Sequence, residues 1–283
     1  MVAATLGNPG IIELVLLLLI GGGAGLLGGL LGIGGGLVMI PAMVLVYGDR
    51  VYGPNSFHLF KLAALATAVV LSVPAVRQHA RAGAIVPAML TGMIPLGLVG
   101  VVAGVWLARV FSDEHTEILR RVFGAFMLAA VGAHVWQLRQ RPEAAGHARD
   151  RCPCATAWGR IGLIVGLPSG LIAGLLGVGG GVWAVPAQNY ALGVRLRNAI
   201  ANSACMIVAL AAGATVMQSI ALAHLHDPRA TVWRGLWLAV WLAPGAMAGG
   251  SLGAVLTHRL PVRWLRNIFY VLLVITGLRL LLY

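Results

Sequence analysis

Acidic side chains are almost missing from this sequence: eight Asp and Glu occur in 283 residues, and charged residues of both signs make up only 10%. A soluble globular domain carries about 25% charged and about 45–50% apolar residues. At 59% hydrophobic and a mean hydropathy of +0.91, this chain has more apolar surface than one core can hide, so the surplus must face lipid. The eight acids are Glu13, Asp49, Asp113, Glu114, Glu117, Glu143, Asp150 and Asp227, each in a polar gap or at the edge of an apolar run. No carboxylate therefore reaches the bilayer midplane, which argues against a cation carrier or a carboxylate-based proton pump. Coupling through histidine stays open.

Cysteine is also scarce. Cys152, Cys154 and Cys205 cannot build a disulfide framework. Cys152-Pro153-Cys154 with His147 offers three metal ligands where a structural zinc site wants four, so no metal and no cofactor is expected. The first apolar run follows MVAATLGNPG and Glu13 without a Lys or Arg, so it lacks the basic flank of a cleaved signal and is expected to remain as a helix. The net charge of +12 falls in short gaps between apolar runs, where it serves anchoring and topology, and no nucleic-acid partner is expected.

Apolar stretches cover approximately 11–46, 58–76, 84–108, 118–138, 159–192, 198–221, 233–256 and 265–283. They imply an all-α membrane protein of about eight transmembrane helices. The most polar gap lies between Gln137 and Arg160 and divides the segments four and four: a first repeat over 11–138, a linker over 139–158 and a second repeat over 159–283. Residues 25–42 (GLLGGLLGIGGGLVMIPA) match residues 170–187 (GLIAGLLGVGGGVWAVPA) at an offset of 145, with eleven of eighteen positions identical. Pro95, Gly100 and Gly104 find counterparts in Pro244, Gly249 and Gly253. Four crossings per half would make the repeats parallel, whereas re-entrant glycine segments would make them inverted. Lys and Arg divide equally between the two faces, but five of them crowd the linker, which places the linker and both termini in the cytoplasm.

The glycines carry the chemistry. Residues 11–46 are too long for one span, and Gly32 with Gly34, Gly35 and Gly36 breaks them; Gly177 with Gly179, Gly180 and Gly181 repeats the device. Each glycine costs a helix roughly 1 kcal/mol relative to alanine, so two such clusters in apolar runs point to wanted interruptions. Broken backbone is tolerated at membrane depth only inside protein or beside a cavity. Half-helices starting near Leu37 and Val182 would aim N–H groups and positive dipole ends inward, a setting that binds a small anion without a buried cation. Pro41 and Pro186, one turn on, would kink or end each half-helix. The polar residues Gln188, Asn189, Asn198, Asn202 and Ser203, together with His58 and Lys61, are candidate substrate contacts, with helix-to-helix hydrogen bonding as the alternative for each. Gln78 and Gln218 correspond between halves, with a place at the water interface as the alternative to a substrate role. Trp106, Trp136, Trp158, Trp233 and Trp264 mark membrane edges.

Two enzyme-like strings carry no enzyme. Gly32–Leu37 lacks the last glycine and the strand context of a dinucleotide fingerprint, and Gly166-Leu167-Pro168-Ser169-Gly170 has no partner histidine for its serine.

The paired G-x-G-G-G, each followed five residues later by proline, resembles the TauE/SafE family of sulfite exporters over essentially the whole chain. That resemblance implies an inner-membrane carrier for sulfite, sulfoacetate or a related sulfonate. It also implies a polar pair in the second helix of each half, which Asn202-Ser203 supplies and Leu62-Ala63 does not. The expected partners are a small anionic substrate and the lipid bilayer, and a homo-oligomer stays open. A bulky residue at Gly35 or Gly180 is expected to stop transport. The competing reading is a non-transporting membrane assembly or sensor protein whose glycines serve packing alone.

Overall fold

The computed structural model describes residues 11–47, 56–110, 121–129, 131–132, 158–222, 228–256, 270–271, 274–275, 277–278 and 281–282. Among them all regular structure is helical. Helix α1 covers Ile11–Leu31, α2 Gly36–Val46, α3 Ser56–Arg81 and α4 Pro87–Val110. Helix α5 covers Trp158–Leu176 and loosens into a π turn at Gly162–Gly166. Helix α6 covers Gly181–Pro186 and continues as a π turn over Ala187–Ala191, followed by α7 (Leu196–Leu222) and α8 (Pro228–Leu256). Six of these, α1, α3, α4, α5, α7 and α8, are long and apolar enough to cross a membrane. The expected crossings at 118–138 and 265–283 are described only in part, and the linker 139–158 up to Trp158 lies outside the described residues. Trp106, Trp158 and Trp233 stand exposed near helix ends, as interfacial aromatics do.

Lipid gives no hydrophobic drive for helices to associate, so close backbone packing must hold them. Gly21, Gly25 and Gly29, spaced by four, put one bare stripe on α1. A Cβ on any of them would run into the α8 backbone at Leu242, Ala246 and Gly250 respectively. Helix α8 answers with Gly245, Gly249 and Gly253 against Leu18, Gly22 and Leu26. A second seam has the same build: Gly166, Gly170 and Gly174 of α5 lie on Met93, Gly97 and Val101 of α4, while Gly100 and Gly104 lie on Leu167 and Leu171.

These contacts also fix direction. Residue numbers rise together along α1 and α8, so the two run parallel; so do α3 and α8, where Leu62 meets Gly235 and Leu71 meets Gly250. Helices α4 and α5 are likewise parallel. Helices α4 and α7 are parallel too, with Val86 at Asn202, Gly97 at Leu210 and Arg109 at Ala221. The end of α3 meets the start of α7, where Arg197 reaches the Ala82 carbonyl, so α3 opposes α7. Hence α1, α3 and α8 point one way and α4, α5 and α7 the other. Ile11 and Trp158 therefore emerge on opposite faces, which corrects the placement of the linker and the N-terminus on one side.

Candidate functional site

Helix α1 stops at Leu31 because the chain then enters left-handed backbone, with φ of 65° at Gly32 and 76° at Gly34. Helix α5 stops at Leu176 for the same reason, with φ of 78°, 75° and 77° at Gly177, Gly179 and Gly180. An L side chain in that region costs about 1–2 kcal/mol, so glycine is the residue that makes these turns. At the first break the chain doubles back: a Cβ on Gly28 would stand 2.8 Å from the Gly35 nitrogen, and one on Gly35 would stand 3.4 Å from the Ala24 carbonyl oxygen. At the second, Gly180 lies against the Ser169 carbonyl.

The two breaks, 145 residues apart in sequence, meet in space. A Cβ on Gly36 would stand 2.7 Å from the Gly177 oxygen, and one on Gly181 would stand 2.6 Å from the Gly32 oxygen. The contact is reciprocal. Ile207 of α7 spans both, lying 3.4 Å from the Cβ position of Gly34 and of Gly179. Residues 32–36 and 177–181 are all buried.

The polar candidates divide into two groups. Ser203, fully buried, donates its hydroxyl to the Gly32 carbonyl at 2.7 Å and so belongs to the first break. Gln188 and Asn202, also fully buried, face each other, Asn202 Nδ2 donating to Gln188 Oε1 at 3.1 Å. Asn202 Oδ1 accepts the Val86 N–H at 2.8 Å, and Gln188 Nε2 donates to the carbonyls of Ala184 and Ala199. This pair ties the π turn after α6 to α7 and to the start of α4. Asn189 donates to the nearby Val194 carbonyl at 2.8 Å. Pro41 sits inside α2, which continues to Val46, while Pro186 closes the α-helical part of α6 before its π turn. Gln218 is buried within the bundle at 3% exposure, not at the water interface.

Two further polar groups adjoin the second break. Lys61, the one lysine of the sequence, is fully buried; its Nζ donates to the Leu175 carbonyl at 2.9 Å and its stem passes over Gly177. Ser169, also fully buried, stands beside Gly180, and its hydroxyl has no hydrogen-bond partner. A lone lysine inside an apolar run was the signal for the first; the second lay in the string read as a failed nucleophile turn. No group of three metal-ligating side chains occurs among the described residues, and His147, Cys152 and Cys154 lie outside them.

Lipid-length helices packed through glycine around two buried backbone breaks define a multi-pass protein of the inner membrane. A family model described as Sulfite exporter TauE/SafE matches residues 17–280. The chain belongs to that family. It is 28% identical, over 98% of its length, to the probable membrane transporter protein MamO of Paramagnetospirillum magneticum, and 30% identical, over 94%, to that of Magnetospirillum gryphiswaldense. It spans under half of those relatives, 46% and 44% of their lengths. A probable membrane transporter protein of Haemophilus influenzae is 25% identical, with 95% of this chain and 98% of the relative covered. No solved structure matches the chain at a significant level.

Proposed function

We propose that the chain is an alternating-access exporter of a small sulfur-containing anion such as sulfite, sulfoacetate or a related sulfonate. The substrate is held where the breaks meet, with backbone N–H groups of Gly34, Gly35, Gly36, Gly179, Gly180 and Gly181 as donors and Gln188, Asn202 and Ser203 as bordering polar groups. The observation that carries this reading is the burial of two left-handed glycine turns face to face. Irregular backbone at such depth is kept where it lines a route or a site, and glycine lets an anion come close to the amides.

The helix directions support a build from two inverted repeats, since α1 opposes α5, α3 opposes α7 and α4 opposes α8. In carriers of that kind the substrate lies at the repeat interface near the midplane. One observation favours the assembly or sensor alternative: Gln188 and Asn202 direct their hydrogen bonds to each other and to neighbouring helices.

The test is reconstitution. Proteoliposomes holding the wild-type chain should move labelled sulfite, and the detergent-solubilised protein should melt higher with sulfite or sulfoacetate than with chloride, because an anion bound only by the folded state stabilises it. A panel that adds thiosulfate and sulfate ranks the head groups. Flux no faster than in empty vesicles, with no shift for any anion, would remove the transporter reading.

A further inference from the structure

We propose that Lys61 supplies the positive charge that the substrate anion neutralises, with the Ser169 hydroxyl as a second donor, so that the second break recognises the head group and the first serves it as backbone. The inference rests on the transporter reading above and deepens it.

Lys61 lies on α3, in the first half of the chain, yet it meets the break of the second half. Gly177 is what lets it in, because a Cβ there would strike the lysine stem. Among the described residues its one polar partner is the Leu175 carbonyl, and no carboxylate pairs with it. An ammonium group has three donors, so two remain for a ligand. An ionisable group inside a transmembrane helix is costly, and such groups mark substrate pathways. Here a sulfite or sulfonate oxygen would be both the missing acceptor and the missing counter-charge.

The polarity is one-sided. Gly177 meets Lys61, whereas its counterpart Gly32 meets Ile200. Gly180 adjoins Ser169, whereas its counterpart Gly35 adjoins Ala24. Lys61 and Ser169 thus both stand at the second break, and the neighbours in the matching places beside Gly32 and Gly35 are apolar. Ser169 is buried with an unsatisfied hydroxyl, which an incoming oxyanion would satisfy.

A plainer role for Lys61 is capping a carbonyl in the last turn of α5, which needs a donor but not a charge. Lys61→Gln keeps a donor and removes the charge, and Lys61→Arg keeps both. Each full-length variant is titrated in detergent with sodium sulfite and sodium sulfoacetate, chloride serving as control, and assayed in proteoliposomes. The Gln chain should fold and bind sulfite at least about tenfold more weakly than wild type, as expected for losing a hydrogen bond to a charged partner. The Arg chain should retain anion-induced stabilisation, and Ser169→Ala should bind a few-fold more weakly. Wild-type affinity in Lys61→Gln would overturn the proposal, as would failure of that chain to fold, which would make the lysine a structural cap. Absence of any anion effect in the wild type is a different failure, that of the transporter reading itself.

Discussion

The two glycine breaks share a sequence pattern and a reciprocal contact, yet they are not the same structure. At the first, Gly35 has an ordinary right-handed backbone, with φ of −69°, and an eleven-residue helix follows. At the second, the corresponding Gly180 has φ of 77°, and only six α-helical residues follow before the backbone widens into a π turn. The neighbours differ in kind. A Cβ on Gly35 would meet the ends of the Leu71 and Met39 side chains, at 2.7 and 2.9 Å, and these can move; a Cβ on Gly180 would meet the fixed Ser169 carbonyl. The glycine pattern is common to both breaks, while the tightness around it is specific to each.

Substitutions can break this comparison. The largest effect is expected at Gly180→Ala, which combines a left-handed backbone cost of about 1–2 kcal/mol with a backbone collision. Thermal melting in detergent should fall furthest for this variant, and transport should be lost. Gly36→Ala and Gly181→Ala come next, each forcing a methyl toward a carbonyl of the opposite break and costing about 1–3 kcal/mol by overpacking. Their melting temperatures should fall by similar amounts, and a clear inequality would show that the reciprocal contact is not shared evenly. Gly35→Ala is expected to be the mildest of the glycine substitutions, at the low end of that range, about 1 kcal/mol if Leu71 and Met39 adjust, with transport retained. Strong inactivation by Gly35→Ala would erase the distinction between the breaks. Ser203→Ala removes one hydrogen bond to Gly32, and such bonds between membrane helices contribute about 0.6 kcal/mol on average and up to about 1.7. Sulfite affinity should change little in that variant, since the Ser203 hydroxyl is engaged with the Gly32 carbonyl and the side-chain donors assigned to the anion, Lys61 and Ser169, stand at the second break.

Much of this architecture was legible in the residues. Apolar runs gave the crossing helices because a membrane span must satisfy its own backbone, and glycine clusters gave the interruptions because few residues tolerate φ near +75°. Helix direction was not legible, since run length says nothing of which helix lies beside which. Lys61 appeared as one polar residue among several, and only a contact spanning 114 residues, from Lys61 to Leu175, ties it to the second break. Gln218 looked interfacial by its place near a segment end, but packing buries it. Gly35 and Gly180 looked equivalent because their letters match, whereas their backbone angles differ.

The glycine seams bear on how the chain matures. The bare stripe of α1 closes on Leu242, Ala246 and Gly250, which are synthesised more than two hundred residues after α1 itself. During insertion α1 therefore sits in the bilayer with its notched face open, dependent on lipid or on the translocation machinery until α8 arrives. Helix α1 enters the membrane long before its final neighbour exists.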